Sequence, residues 1–212
     1  MKNIVTIDFD IIMAPSINLY NNIVGPNKWE NEFSQDLLIR LSFADLQHYH
    51  NITLWLLNII KQIPKEKVHF IFDHEQVLNY IPLAEEVNLI NIDHHHDIGY
   101  GLADQKDITD ANLTCGNWIK YLINHGKLVK YHWINNKNST PLENDIITDE
   151  QKKMFITTNL IDFNLNDITD IDELIICLSE LWIPPNYRHL FYTWLDICNT
   201  SYSTHFELET KK

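Results

Sequence analysis

Glycine, cysteine and long apolar runs are scarce in this chain, and each scarcity excludes a class of protein. Five glycines among 212 residues leave no Gly-rich phosphate-binding loop of the GxGxxG kind. No apolar run approaches the roughly 20 residues that a membrane span needs, so no membrane association is expected. The three cysteines are odd in number and widely spaced, which indicates free thiols rather than a disulfide framework or a zinc–thiolate site: Cys115, Cys177 and Cys198.

Basic residues are outnumbered by acidic ones, and this balance bears on partner and location. The chain has 16 Lys and Arg against 29 Asp and Glu, a formal net charge of −13. Nucleic-acid binders usually carry a basic patch; none stands out here, so no nucleic-acid partner is expected. An acidic surface favours a cationic partner instead. Asp8 and Asp10 stand where a signal peptide would have its apolar stretch, so we expect a cytoplasmic protein.

Short apolar runs alternate with segments of helical spacing along the chain. Helical spacing of apolar residues predicts two helices within 36–62, one at 117–125 and one at 188–198. Strands that alternate with helices predict an α/β fold with a mostly parallel central sheet. No internal repeat or low-complexity linker interrupts the chain, so residues 1–212 are expected to form a single domain. The predicted strands are 3–9, 67–72, 87–92, 128–134, 154–161 and 173–178.

Residues with metal-binding side chains follow three of these predicted strands, where sites of parallel α/β sheets gather. Asp8 and Asp10 end the first strand, and residues two apart in a strand face the same side. Two carboxylates this close repel each other unless a cation or protons neutralise them, although paired acids also occur at exposed strand ends. His74 follows the second strand, where Asp73 or Glu75 can orient its ring. A lone histidine is also an ordinary structural residue, so His74 alone predicts little.

The third strand is followed by five consecutive potential ligands, from Asp93 to Asp97. If the chain stays extended, Asp93, His95 and Asp97 face one side, while His94 and His96 face the other. Two carboxylates and an imidazole suit Mn²⁺, Fe²⁺ or Zn²⁺ better than Ca²⁺ or Mg²⁺. Four carboxylates and two imidazoles in all suffice for two divalent ions that share ligands and activate a water molecule. The predicted metal ligands are Asp8, Asp10, His74, Asp93, His95 and Asp97.

This pattern resembles the arginase (ureohydrolase) superfamily. That family has a histidine after one strand, an Asp-x-His-x-Asp after the next and an Asp-x-Asp after a later strand. Here the Asp-x-Asp lies at the amino terminus, which indicates a permuted strand order. The closer resemblance is to peptide arginases and proteins related to them. It rests on short segments similar to theirs at 72–78, 115–119 and 178–185.

The resemblance implies a three-layer arginase-like fold, with helices flanking the sheet, and two Mn²⁺ ions. It also implies hydrolysis of arginine side chains in a precursor peptide to ornithine and urea, as in ribosomal peptide modification. A carboxylate must then hold the cationic guanidinium, and Glu180 is the candidate. The leaving amine needs a proton donor, for which His94 and His96 are the candidates, with His125 and His132 as alternatives.

The main rival interpretation is a DHH-type phosphoesterase, which also binds two Mn²⁺ ions. In that interpretation the metal ligands are Asp8, Asp10, Asp73, Asp93, His94 and His95. His74 and Asp97 are ligands only in the ureohydrolase interpretation. The small Gly/Ser helix start and the glycine-rich second domain of those enzymes are missing here, and the acidic charge disfavours a polyanionic substrate. Two further alternatives are a metal-stabilised protein that binds an arginine-rich peptide without turnover, and a deacetylase that holds one zinc ion.

Overall fold

The central sheet contains all six predicted strands. The computed structural model describes residues 1–13, 45–82, 84–99, 108–142, 146–179, 182–183 and 187–209, with side chains up to residue 201. The strands are β1 (Lys2–Asp8), β2 (Val68–Ile71), β3 (Val87–Ile92), β4 (Leu128–Asn135), β5 (Phe155–Asn159) and β6 (Glu173–Cys177).

The strands lie in the order β2-β6-β1-β3-β4-β5, and every neighbouring pair is parallel. The first strand is therefore central, between β6 and β3. The register pairs Ile7 with both Ile92 and Ile176, so the carboxyl ends of these three strands reach the same edge of the sheet. The α/β class and the parallel sheet predicted from the sequence are confirmed.

The helices are α1 (Leu46–Ile59), α2 (Trp118–Asn124), α3 (Asp149–Lys152) and α4 (Arg188–Glu209). They confirm three predicted helices, and α4 extends beyond the prediction. The other helix predicted within 36–62, at residues 37–41, lies outside the described residues. Short 3₁₀ segments occur at Phe9–Ile12, Lys65–Lys67, His74–Tyr80, Leu160–Asp162 and Leu165–Asp167. Within the described part of the chain, no helix has the length and apolar character to cross a membrane.

Each face of the sheet is covered by apolar packing, which explains the apolar strand sequences. On one face, Phe9 packs against Trp194 of α4, with ring centroids 4.8 Å apart, and Leu56 of α1 joins the same cluster. On the other face, Trp118 and Leu122 of α2 join Leu89 of β3. Alternate residues of β1 enter the two clusters, Ile4 on one side and Val5 on the other, as strand geometry requires.

A buried carboxylate joins three segments at the amino-terminal edge of the sheet. Glu173 begins β6 and is 4% exposed. Its oxygens lie 3.1 Å from Lys2 Nζ, 2.8 Å from Lys67 Nζ and 2.9 Å from His69 Nε2. Burial raises the pKa of Glu173, but the hydrogen bonds from Lys67, His69 and Lys2 outweigh it and leave the pKa below the usual value. The ionised carboxylate therefore ties β1, β2 and β6 together, at the end opposite the acidic strand ends.

We expect Glu173→Gln to lower the free energy of unfolding at pH 7 by about 1–3 kcal/mol, because it removes charge-assisted hydrogen bonds from a buried group. A depressed carboxyl pKa gives stability above the unfolded value of 4.5, which is lost as the pH falls through the folded value. Urea unfolding should therefore show the difference from wild type at pH 7 and its progressive loss as the pH falls below 4.5. Asp149→Asn, which breaks the exposed pair with Lys152, is the control and should change stability little. Equal effects of the two substitutions would contradict this role.

Candidate metal centre

Two groups of ligand-type side chains meet at the carboxyl ends of β1 and β3. Asp8, His74 and Asp93 form the first group, and Asp10, Asp93 and His95 form the second. Within each group the ligand atoms lie within 4.8 Å of one another. Asp93 belongs to both groups, so its carboxylate lies between two potential cation positions.

His74 stands at the centre of the first group. Its Nδ1 lies 3.2 Å from Asp8 Oδ2, 3.1 Å from Asp93 Oδ2 and 2.9 Å from Asp97 Oδ2. The ring is 1% exposed, and neither ring nitrogen makes a well-directed hydrogen bond within the described part of the chain. Burial lowers the pKa of His74, but Asp8, Asp93 and Asp97 raise it, to well above its usual value. One imidazole nitrogen facing three carboxylates in a buried space is a donor set that suits a divalent transition-metal ion.

The second group is more accessible. His95 Nδ1 lies 2.7 Å from Asp10 Oδ2 and 4.0 Å from Asp93 Oδ1. The His95 side chain is 16% exposed, whereas those of Asp10 and Asp93 are fully buried. Burial lowers the pKa of His95, but Asp10, Asp93 and Asp97 raise it to about 9. His95 is therefore the most exposed member of the two groups.

The buried carboxylates repel one another. Burial and the charge of Asp10 raise the pKa of Asp8. Burial, and the charges of Asp97 and Asp8, raise the pKa of Asp93 to about 7. Burial is also the largest cause that raises the pKa of Asp10. Because buried like charges need protons or cations to neutralise them, the donor set fits divalent cations.

The local backbone differs from the extended geometry assumed in the sequence analysis. Strand β1 ends at Asp8 and the chain turns into a 3₁₀ segment, where the Asp10 N–H donates to Asp8 Oδ1 at 3.2 Å. Asp8 and Asp10 therefore reach different groups instead of one side of a strand. Strand β3 ends at Ile92, and Asp97 has a φ of 52°, in the left-handed region. These turns, rather than strand alternation, bring Asp93, His95 and Asp97 into the centre.

Three buried side chains hold the carboxylates in place. Trp118 Nε1 donates to Asp97 Oδ2 at 2.7 Å, and Asn91 Nδ2 donates to Asp93 Oδ2 at 3.0 Å. The Ser179 hydroxyl donates to Asp8 Oδ2. None of these three residues was predicted as a site residue from the sequence. For Asn91 a signal existed, since it is a polar residue inside an apolar strand; for Trp118 and Ser179 the pairing depends on tertiary structure.

His94 and His96, the proposed proton donors, are both buried but make different contacts. His94 is buried, its N–H donates to Asp10 Oδ1 at 3.3 Å, and its ring meets that of His95 edge-on at 4.9 Å. His96 Nδ1 accepts the N–H of Ile98 at 3.1 Å. Burial and the neighbouring His95 lower the pKa of His94 and of His96 to about 3. Neither ring belongs to the two groups found among the described residues.

His125 and His132, the alternative proton donors, belong to neither ligand group found among the described residues. His125 follows α2, where its Nδ1 lies 2.8 Å from the Tyr121 carbonyl oxygen. His132 in β4 has its Nε2 2.9 Å from Thr158 Oγ1 of β5. Glu180, the candidate for holding the guanidinium, lies outside the described residues.

Comparisons with known proteins do not assign this chain to a family. No protein-family model matches the sequence, and neither a curated protein nor a solved structure matches it.

We expect Asp93→Asn to have opposite effects with and without metal. In the metal-free protein it removes one of several buried like charges, so the free energy of unfolding should stay equal or rise. With Mn²⁺ it removes a carboxylate ligand shared by both groups. The affinity for Mn²⁺ should therefore fall by more than about 10–100-fold, which is the loss expected when a side chain that only orients a ligand is removed. Thermal unfolding with and without Mn²⁺, together with the metal content, measures both effects.

Asp73→Asn is the matched control, because Asp73 is an exposed acid directly before His74. It should keep the wild-type rise in Tm with Mn²⁺. Two bound Mn²⁺ ions in Asp93→Asn at wild-type affinity would contradict the shared position of Asp93.

Proposed function

We propose that the centre binds two Mn²⁺ ions and that the protein hydrolyses arginine side chains in a peptide to ornithine and urea. The observation that carries the proposal is the shared position of Asp93 between one group with His74 and another with His95. The six residues that the arginase resemblance implies as ligands lie together, including Asp97, 2.9 Å from His74. When bound, two divalent ions lower the pKa of a water molecule and stabilise charge on the attacked guanidinium.

The chain itself supplies orientation and exclusion of water. The hydrogen bonds to Asp97, Asp93 and Asp8 described above fix the carboxylates before substrate arrives, as partners of ligands generally do. The buried first group is closed to solvent, whereas His95 is partly accessible, so substrate approaches from the His95 side. A net charge of −13 favours a cationic substrate over a phosphate ester.

The phosphoesterase alternative assigns Asp73 and His94 as ligands in place of His74 and Asp97. The geometry supports the ureohydrolase assignment, because His74 faces Asp8, Asp93 and Asp97 within 3.2 Å. His94 instead contacts Asp10 through its backbone N–H. The proposal therefore keeps peptidyl arginine as the substrate class.

An arginine-containing peptide incubated with the Mn²⁺-loaded protein should lose about 42 Da per converted residue, since water enters and urea leaves. Mass spectrometry measures the shift, and a urea assay measures the second product. The same peptide with lysine in place of arginine should keep its mass, and Asp93→Asn should leave the arginine peptide unchanged. An unchanged arginine peptide together with cleavage of bis(p-nitrophenyl) phosphate would favour the phosphoesterase instead.

The variant His94→Ala should keep two bound Mn²⁺ ions, because the imidazole of His94 lies outside both ligand groups among the described residues. His95→Ala should lose at least one ion, because its Nδ1 lies beside Asp10. Metal analysis of the two purified variants after dialysis makes the comparison. A single ion in His94→Ala would support the phosphoesterase assignment, whereas His95→Ala should lose metal in either interpretation and serves as the positive control.

A further inference from the structure

Two residues that follow β6, Ser179 and Trp182, lie beside the two ligand groups. Ser179 has a φ of 48°, in the left-handed region that is uncommon for serine, and the Trp182 N–H donates to its carbonyl oxygen at 2.8 Å. The Ser179 hydroxyl donates to Asp8 of the first group. The Trp182 ring centroid lies 5.1 Å from that of His95, at an interplanar angle of 53°. Ser179 thus contacts the first group, and Trp182 places an indole beside the second.

The position of Trp182 is unusual among the tryptophans near the centre. Trp118 and Trp133 are almost fully buried. The indole N–H of Trp118 donates to Asp97 Oδ2, and that of Trp133 donates to the Asp93 carbonyl oxygen. Trp182 is half-buried and lies against His95, the accessible ligand. Its indole therefore lies beside the most exposed ligand of the two groups.

We propose that Trp182 is a specificity-determining residue whose indole forms one wall of the substrate pocket and selects a planar cation, the guanidinium group. This inference rests on the proposed function, since it names how the same site distinguishes its substrate. The face of an indole is electron-rich and attracts a cation, and the flat, weakly hydrated guanidinium stacks on aromatic faces better than an ammonium does. The buried carboxylates add negative potential but no preference for a planar shape.

A different role for Trp182 would be to hold the His95 ring in place. That role predicts loss of Mn²⁺ when the indole is removed. Selection of the guanidinium predicts full metal content with weaker binding of the cationic side chain. Metal content and ligand discrimination therefore separate the two roles.

The test uses the Mn²⁺-loaded full chain and a pair of fluorescent peptides that differ at one side chain. One peptide carries arginine and the other citrulline, which is planar and nearly the same size but uncharged. Anisotropy, read in stopped flow before a turnover, gives the Kd of each peptide for wild type, Trp182→Leu and Trp182→Phe. Tyr192→Leu is the control, because Tyr192 is a 47% exposed aromatic residue of α4 that packs on Phe191.

We expect Trp182→Leu to weaken binding of the arginine peptide by about 5- to 30-fold and to change binding of the citrulline peptide much less. Trp182→Phe should lie between, because it keeps an aromatic face of weaker potential. Tyr192→Leu should behave as wild type, and all four proteins should hold two Mn²⁺ ions.

Three results would overturn the inference: equal weakening of both peptides, unchanged binding in Trp182→Leu, or loss of Mn²⁺ from both Trp182 variants. The inference and the proposed function fail separately. Urea release with wild-type discrimination in Trp182→Leu would overturn the inference and leave the hydrolysis standing. A Trp182-dependent preference for arginine without urea release would leave the guanidinium site standing and overturn the hydrolysis.

Discussion

The structure depends on the burial of several carboxylates against two imidazoles at one edge of the sheet. Asp8, Asp10 and Asp93 have raised pKa values because water has been removed from around them and their charges lie close together. Buried carboxylates destabilise an apolar sheet unless cations or protons neutralise their charge. Without a cation, His74 and His95 do so in part, which is why the pKa of each is raised. The surrounding hydrogen bonds keep the carboxylates converged in spite of their repulsion.

The order of the strands in the sheet determines which residues lie together in the candidate metal centre. With β1 between β6 and β3, the ends that carry Asp8, Ser179 and Asp93 become neighbours although they are far apart in the sequence. The ionic cluster around Glu173 lies at the opposite edge and joins β1, β2 and β6 there. At one end of the sheet, lysine and histidine side chains neutralise a single carboxylate. At the other end, the carboxylates outnumber the imidazoles.

The sequence predicted the strands and most of the helices, but not the turns after the strands or the tertiary contacts between elements. Six apolar runs became six strands because buried parallel strands need apolar residues on both faces. The ligand-type residues lie together because strand ends gather at one edge of a parallel sheet. The turns at Asp97 and Ser179 were not predictable, since a left-handed φ at these residue types is imposed by tertiary contacts. The pairing of Trp118 with Asp97 likewise depends on where α2 docks, which spacing alone does not specify.

The central place of β1 has a consequence for the folding of the chain. The contact between Asp8 and Ser179 spans 171 residues, and the contact between Thr6 and Asn91 spans 85. Contacts so distant in sequence slow folding, because a long loop must close before they form. The first strand therefore stays without one neighbour until β6 has joined the sheet. The carboxylates of the candidate metal centre are therefore fully held only after the last strand has docked, so the first and last strands of the sheet must meet before the centre is complete.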